Sequence, residues 1–253
     1  MTEVSVSKKT FNTFLDTFGK DLEDIALVVK GTVITARVGA MTHYIRRSCP
    51  AEVEEGGNIH ISDLAKLRTF LKSDKADNLS LVQYTINGTL SVKCGNSTLQ
   101  LPGTSYIKSL KEVSLIEKLI EKSEGVNWSR WVDDDLSCRG LVNSRDLRPV
   151  EKMAKVLGDK LTCKMRYDPH DREIVFHAGK STSGKMFVRA PLLDAEGPDS
   201  GVESTFAHWL PTLVSTVPEG TVDIHTGTST VLVIRQEESD YLLLVMDQQF
   251  EED

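Results

Sequence analysis

Three short clusters in the sequence contain residues that could catalyse a reaction or hold a metal ion. Gly179-Lys180-Ser181-Thr182 is similar to the end of a phosphate-binding loop, but that loop needs a glycine where this chain has Ile174. Asp133-Asp134-Asp135 could bind a hard cation, although a solvated acidic turn is the simpler interpretation. His43 precedes Cys49 without a recognisable nucleophile arrangement. The sequence therefore predicts no catalytic residue, no metal site and no cofactor.

Basic side chains offer a different chemistry, the electrostatic attraction of phosphate groups. The net charge of −7 over 253 residues argues by itself against nucleic-acid binding. Three predicted amphipathic helices, at 8–20, 62–75 and 145–160, nevertheless carry +2 each, so the other residues carry −13. One lysine-rich helix would mean little, because solvated helix faces often carry lysine. Three such helices in an acidic chain indicate that positive charge is concentrated where it could meet a polyanion.

The segment from Asn58 to Leu101 predicts the structural unit that positions one of these helices. Ser62 or Asp63 can cap a helix whose apolar residues recur at helical spacing: Leu64, Leu67, Phe70 and Leu71. Three strand-like runs follow, at 79–86, 89–94 and 98–101. The turn pairs Asn87-Gly88 and Gly95-Asn96 separate them. The predicted unit is a basic helix followed by an antiparallel meander.

The same unit recurs near the end of the chain, which indicates an internal duplication. A helix predicted at 206–217, with Glu203-Ser204-Thr205 leading into it, precedes strands at 221–225, 230–236 and 241–247. The predicted domains are 1–102 and 136–253. The linker 103–135 between them has a plausible short helix at 113–122, and also contains Trp128 and Trp131, which are more simply packing residues than base-stacking ones. Pro149 and Pro211 fall about five residues into their helices, which should start late or kink.

Composition excludes several other classes of protein. No apolar run approaches the roughly 20 residues of a membrane span, and the polar N-terminus lacks the apolar core of a signal peptide. The four cysteines form no C-x-x-C pair and indicate free thiols in a reducing compartment. The six histidines are scattered, and His177 and His208 fall in apolar patterns typical of buried or half-buried residues.

In this arrangement the chain resembles the DNA polymerase sliding clamps, most closely the two-domain, trimer-forming type shared by proliferating cell nuclear antigen and tailed-phage clamps. The resemblance covers roughly Val4 to Leu101 and Leu136 to Asp247 and rests on element order and apolar pattern. Its most specific parts are residues 58–67 and the ending 240–246, followed by the acidic tail 251–253. It implies an α+β fold of two similar clamp domains, with antiparallel sheets outside and helices lining the inside of a three-chain ring.

The resemblance also implies three kinds of site. Inner-wall cations would attract duplex DNA without reading its sequence. These are Lys8, Lys9, Lys66, Arg68, Lys72, Arg145, Arg148, Lys152 and Lys155; the fourth helix offers only His208. Strand 98–101 would pair with 185–190 of the next subunit, with Thr98, Leu99, Leu101, Met186, Phe187 and Val188 at the interface. DNA polymerase and clamp loader would insert peptides into a pocket of Met41, His43, Tyr44, Ile45, Val245 and Met246.

The predicted function is that of a homotrimeric, non-enzymatic processivity factor in DNA replication. It would act in the cytoplasm or nucleus of the replicating cell, without a membrane partner, and a bacteriophage protein in the host cytoplasm fits equally. One alternative is a monomeric clamp-like accessory protein that binds DNA on one basic face. Others are a hydrolase or nuclease with a metal held by 133–135, and a two-domain structural protein, which would leave the basic helices unexplained.

Overall fold

The computed structural model describes residues 1–19, 22–40, 43–103, 113, 136–157, 162–180, 184–206, 210–227 and 231–246. Within this part of the chain there are two compact units, Met1–Ala40 with Ile45–Leu115, and Met41–Tyr44 with Ile116–Asp253. The predicted linker helix, Trp128, Trp131, the acidic run 133–135 and the tail 251–253 lie outside the described residues. No helix in the described ranges is long and apolar enough to cross a membrane.

The first unit begins with a strand and a helix, and its second helix leads into a meander. Its strands follow the neighbour orders β5-β1-β7-β8-β9 and β4-β3-β2-β6. The elements are β1 (Thr2–Ser7), α1 (Lys8–Asp16), β2 (Ile25–Lys30), β3 (Val33–Ala40), β4 (His43–Pro50), β5 (Glu52–Glu55), β6 (Gly57–Ile61), α2 (Leu64–Ser73), β7 (Asn78–Gln83), β8 (Leu90–Cys94) and β9 (Ser97–Leu101).

The second unit follows the same plan. Its strands have the neighbour orders β14-β10-β16-β17-β18 and β13-β12-β11-β15. The elements are β10 (Cys138–Asn143), α3 (Ser144–Leu157), β11 (Cys163–Asp168), β12 (Glu173–Lys180), β13 (Gly184–Pro191), β14 (Leu193–Glu196), β15 (Val202–Phe206), α4 (Leu210–Val214), β16 (Thr221–Thr226), β17 (Val231–Gln236), a 3₁₀ turn (Glu237–Ser239) and β18 (Tyr241–Met246).

The two units share one topology strand for strand, so the predicted α+β fold with a duplicated, antiparallel architecture is confirmed. The match extends to single hydrogen bonds. The backbone N–H of Lys8, the first residue of α1, donates to Asp77 O at 2.7 Å, and that of Ser144, the first residue of α3, donates to Gly220 O at 2.9 Å. In both units this bond joins the start of the first helix to the end of the loop after the second helix. Asp77 directly precedes β7, and Gly220 directly precedes β16.

The helices form because their apolar residues recur on one face and bury it. In α1 Phe11, Phe14 and Leu15 are buried, and the Phe11 and Phe14 rings stack with centroids 5.8 Å apart. Asp63 rather than Ser62 caps α2, since its Oδ1 accepts a hydrogen bond from the Lys66 backbone N–H at 2.8 Å. The predicted two-residue turn at Gly95-Asn96 is also present, with Gly95 at a φ of 57° and Cys94 opposite Ser97.

Two local predictions are wrong for identifiable reasons. The strand expected to reach Ile86 ends at Gln83, and a six-residue connection leaves the Ile86 side chain 100% exposed. Residues 203–206 were predicted to lead into the fourth helix but belong to β15, where burial alternates as it does in a strand. Within the described residues helix α4 covers Leu210–Val214 and contains Pro211, and Pro149 lies inside α3. The position of His208 is outside the described residues.

Candidate nucleic-acid interface

Hydrogen bonds between α1 and α2 fix the helix pair of the first unit. Lys8 Nζ donates to the carbonyl of Asp74, the C-cap of α2, at 2.7 Å. Arg68 in α2 donates from its NH2 nitrogen to Leu15 O at 2.9 Å and Gly19 O at 2.5 Å. The carbonyls at the end of a helix attract positive charge, so both cations lie at favourable positions. Leu15 O also accepts a hydrogen bond from the Phe18 backbone N–H at 3.2 Å, and Arg68 adds a charged donor to it. Lys8 and Arg68 therefore position the helices, a role that spacing alone did not indicate.

Replacing Arg68 with alanine should lower the free energy of unfolding by about 1–3 kcal/mol, because two carbonyls at the end of α1 lose a charged donor. The matched variant Lys72→Ala, in the same helix but exposed, should change it by less than about 0.5 kcal/mol. Urea unfolding followed by circular dichroism measures both. Equal losses in the two variants would show that Arg68 does not hold α1 in place.

Four of the predicted DNA-binding side chains are exposed and have no carboxylate within ion-pair distance in the described part of the chain. They are Lys9, Lys72, Arg145 and Lys152. Lys9 and Arg145 occupy the second position of equivalent helices in the two units. Both units thus present cations that are not neutralised by a neighbour.

Three further predicted cations pair with carboxylates at the surface. Lys66 Nζ lies 2.9 Å from Asp63 Oδ2, Arg148 NH2 lies 2.9 Å from Glu219 Oε1, and Lys155 Nζ lies 2.7 Å from Glu151 Oε1. The hydrogen bond that the Lys66 side chain donates to the Asp63 carboxylate raises the pKa of Lys66 and lowers the pKa of Asp63. The cationic side chains are 56–71% exposed, and solvent-exposed pairs are weak enough to exchange a carboxylate for a phosphate.

Helix α3 presents its cations as one stripe. Arg145, Arg148, Lys152 and Lys155 are spaced three, four and three residues apart, which places them on one side of the helix. The opposite side packs into the unit through Leu147, Val150 and Met153, each at most 1% exposed.

The segregation of charge holds with the observed helix boundaries. Helices α1, α2, α3 and α4 carry net charges of +1, +3, +2 and zero, which add up to +6. Because the net charge of the whole chain is −7, the other residues carry −13. The described part of α4, five residues long, has no cation. An anionic polymer would therefore be drawn to α1, α2 and α3.

The two strands predicted to join subunits both lie at an edge of their sheets in the described part of the chain. Leu99 in β9 and Met186 in β13 face the side of the sheet that carries the core, yet both are only half-buried because no strand lies beyond them. Leu101 and Val188 are 2% and 6% exposed and belong to the cores of their own units. Phe187 is 55% exposed on the opposite face and stacks on His177, with ring centroids 5.6 Å apart. Thr98 is exposed.

The residues predicted to line a peptide pocket are mostly buried. Tyr44, Ile45 and Val245 are 1%, 2% and 0% exposed, so their side chains offer no surface to a peptide in this structure. His43 is half-buried. Met41 and the side chain of Met246 lie outside the described residues. The pocket thus stays a prediction that rests on His43 alone.

The described residues contain no group of three His, Cys, Asp or Glu side chains able to hold a metal ion. Cys49 is also a poor nucleophile, since burial raises the pKa of its thiol to about 12 despite the nearby Arg47. Burial raises the pKa values of Cys138 and Cys163 to about 12 as well.

Neither a protein-family model nor a curated protein sequence matches the chain. Solved structures do match the chain. A structure of the C-terminal region of FEN-1 bound to A. fulgidus PCNA matches with a TM-score of 0.68 and 13% identity, over 100% of both chains. PCNA from Thermococcus kodakaraensis matches with a TM-score of 0.66 and 17% identity, over 98% of this chain and 100% of that one. The chain has the sliding-clamp fold. The resemblance found in the sequence is thereby confirmed at the level of the fold.

A bacterial clamp shares the fold over part of its length. The DNA polymerase III beta subunit of Thermotoga maritima matches with a TM-score of 0.66 and 11% identity, over 99% of this chain. The match covers 66% of the bacterial chain, so this protein spans about two thirds of that relative. At such identities the similarity concerns the fold, and residue roles must come from the geometry of this clamp-fold chain itself.

Proposed function

We propose that this protein is a sliding clamp, a non-enzymatic processivity factor that encircles duplex DNA and tethers a DNA polymerase. The observation that carries the proposal is the duplicated clamp fold whose helices hold +6 while the rest of the chain holds −13. Cations on helices attract the phosphate backbone of any sequence, and a protein enclosed around the duplex needs no tight contact to stay on it.

The proposed assembly is a homotrimer joined through β9 of one chain and β13 of the next. Two free edges in one chain allow head-to-tail pairing, and a strand added at each edge would complete the burial of Leu99 and Met186. The full-length match to two PCNA chains, against the partial match to a bacterial beta subunit, supports the two-domain, three-chain form.

The proposed partners are proteins that carry clamp-binding peptides. Solved structures with this fold include the A. fulgidus PCNA with a FEN-1 segment and a Helicobacter pylori beta clamp with a DNA ligase peptide. By analogy, a DNA polymerase and a clamp loader would use such peptides here, in the cytoplasm or nucleus of the replicating cell or, for a phage protein, in the host cytoplasm.

A monomeric accessory protein that binds DNA on one face is the second candidate. It is favoured by Lys72 and Lys152, which are exposed and unpaired within the described ranges and could contact phosphates without a ring. Light scattering at micromolar concentration separates the two. A mass near three times the 28.1 kDa of one chain supports the clamp, and a monomer that persists on concentration supports the accessory protein.

A further inference from the structure

A polar cleft of about 550 Å³ lies on one face of the β14-β10-β16-β17 part of the second unit. Its size is in the range of ligand and peptide pockets. The floor of the cleft is formed by cross-strand pairs of these four strands. Arg139 in β10 pairs with Glu196 in β14 on one side and with His225 in β16 on the other. Asp223 in β16 pairs with Arg235 in β17. Because Val222 and Ile224 face the core, Asp223 and His225 share the other side of β16.

The floor of the cleft contains two groups of ion pairs. Arg139 Nε donates to Glu196 Oε2 at 2.8 Å, and Arg235 NH2 donates to Asp223 Oδ2 at 3.0 Å. His225 Nε2 lies 2.8 Å from the same Asp223 oxygen. Burial opposes ionisation of Asp223, but the hydrogen bonds of His225 and Arg235 outweigh it and lower the pKa. The carboxylate accepts a hydrogen bond from Nε2–H, and in the neutral ring the other nitrogen, Nδ1, is then an acceptor.

That second nitrogen has no donor in the part of the chain that the structure describes. The His225 side chain is 7% exposed and lines the cleft, and its Nδ1 atom is buried without a hydrogen-bond partner. A buried polar atom of this kind costs free energy unless a donor is supplied. The donor that this atom needs must come from water or from a group outside these residues.

The clamp fold itself does not need this network. The first unit carries Glu3, Ser80, Val82 and Lys93 at the positions that match Arg139, Asp223, His225 and Arg235 in strand register. Val82 places an apolar side chain, 8% exposed, where the second unit has the histidine. Because a partly buried charge network is no more stabilising than apolar packing, its presence in one unit alone points to a role other than folding.

The rim of the cleft has a strong negative charge. Asp194, Glu237 and Glu238 are exposed, and none forms an ion pair with another described residue. The two arginines and two carboxylates of the floor cancel in net charge, so the three rim carboxylates make the net charge of the cleft negative. A cation entering the cleft would meet three uncompensated carboxylates.

We propose that this cleft binds a segment of a partner protein that bears lysine or arginine side chains. The rim carboxylates pair with its cations, and a donor of the segment supplies the hydrogen bond that His225 lacks. This surface is chemically unlike a pocket for apolar peptide anchors, so it would serve a different partner or a different part of the same one. The inference holds whether or not the protein encircles DNA.

The probe for this site is the tripeptide acetyl-Lys-Arg-Lys-amide, added to the ¹⁵N-labelled full chain. Binding should be saturable, with amide shifts concentrated at Leu141, Asp194, Glu196 and Glu238. The variant Asp194→Asn/Glu237→Gln/Glu238→Gln should weaken binding about tenfold or more. The control Glu52→Gln/Glu54→Gln/Asp77→Asn removes the same charge from exposed sites of the first unit and should change affinity less than twofold.

Replacing His225 with valine, the residue at the matching position of the first unit, tests separately whether the floor of the cleft contributes to peptide binding. We expect severalfold weaker binding with an unchanged melting temperature. Equal weakening by the rim variant and its control would overturn the proposal, since the peptide would then sense only net charge. Shifts spread over other surfaces, or no saturable binding, would overturn it too.

Discussion

Replacing Leu99 with aspartate should convert the proposed trimer into monomers at micromolar concentration. Leu99 is half-exposed at the edge of its sheet, so the change costs the single chain little, whereas a paired strand would bury the new carboxylate without a partner. We expect the dissociation constant of the assembly to rise at least about 100-fold, which corresponds to roughly 3 kcal/mol. Light scattering over a concentration series measures the effect, and Met186→Asp at the other edge should act in the same way.

The variant Ile86→Asp is the matched control for that experiment. It introduces the same carboxylate at an apolar side chain that is 100% exposed and belongs to the connection between β7 and β8, not to either edge strand. It should leave the mass near three chains. A trimer that survives both Leu99→Asp and Met186→Asp would place the subunit contact elsewhere.

Reversing the charge of Lys72 and Lys152 should weaken duplex binding at least about 30-fold at 50 mM salt. Each side chain is exposed and has no acidic partner among the described residues, and a ring of three chains would present both in triplicate. Phosphate contacts that are lost also reduce the dependence of the binding constant on salt, by about one unit of slope for each contact. Fluorescence anisotropy with duplexes of two unrelated sequences, at several salt concentrations, measures both quantities.

The control for charge reversal is Lys30→Glu/Lys93→Glu. These lysines are also exposed, but they lie on strands of the first unit, and their reversal changes the net charge by the same amount. We expect less than a threefold change in affinity. If the two double variants weakened binding equally, the DNA would be responding to the overall charge and not to the basic helices.

The sequence predicted most of the fold because each unit consists of short amphipathic elements with clear turn residues. The helix at Leu64–Ser73 and the Gly95-Asn96 hairpin were read from apolar spacing and turn chemistry alone. Strand β15 was missed because Glu203-Ser204-Thr205 is as typical of a helix start as of an exposed strand. Only its pairing with β11, a contact between residues about forty positions apart, settles that choice.

The site was less predictable, because helical spacing shows where a cation lies but not what it binds. Arg68 has the same spacing as its neighbours, yet it donates to Leu15 and Gly19, which are about fifty residues away. The peptide pocket stays a prediction for a related reason. Tyr44 and Val245 are buried, and an apolar run alone does not distinguish a surface pocket from a core.

Topological retention on DNA separates a protein that encloses the duplex from one that binds its surface. A duplex fixed to a bead by one end is exposed to the protein, its free end is then blocked with a bulky protein, and the bead is washed in 1 M salt. We expect the protein to stay on the end-blocked duplex, where screened contacts cannot hold it, and to leave when the duplex is cut. Loss in the wash whether or not the end is blocked would show that the protein does not enclose the duplex.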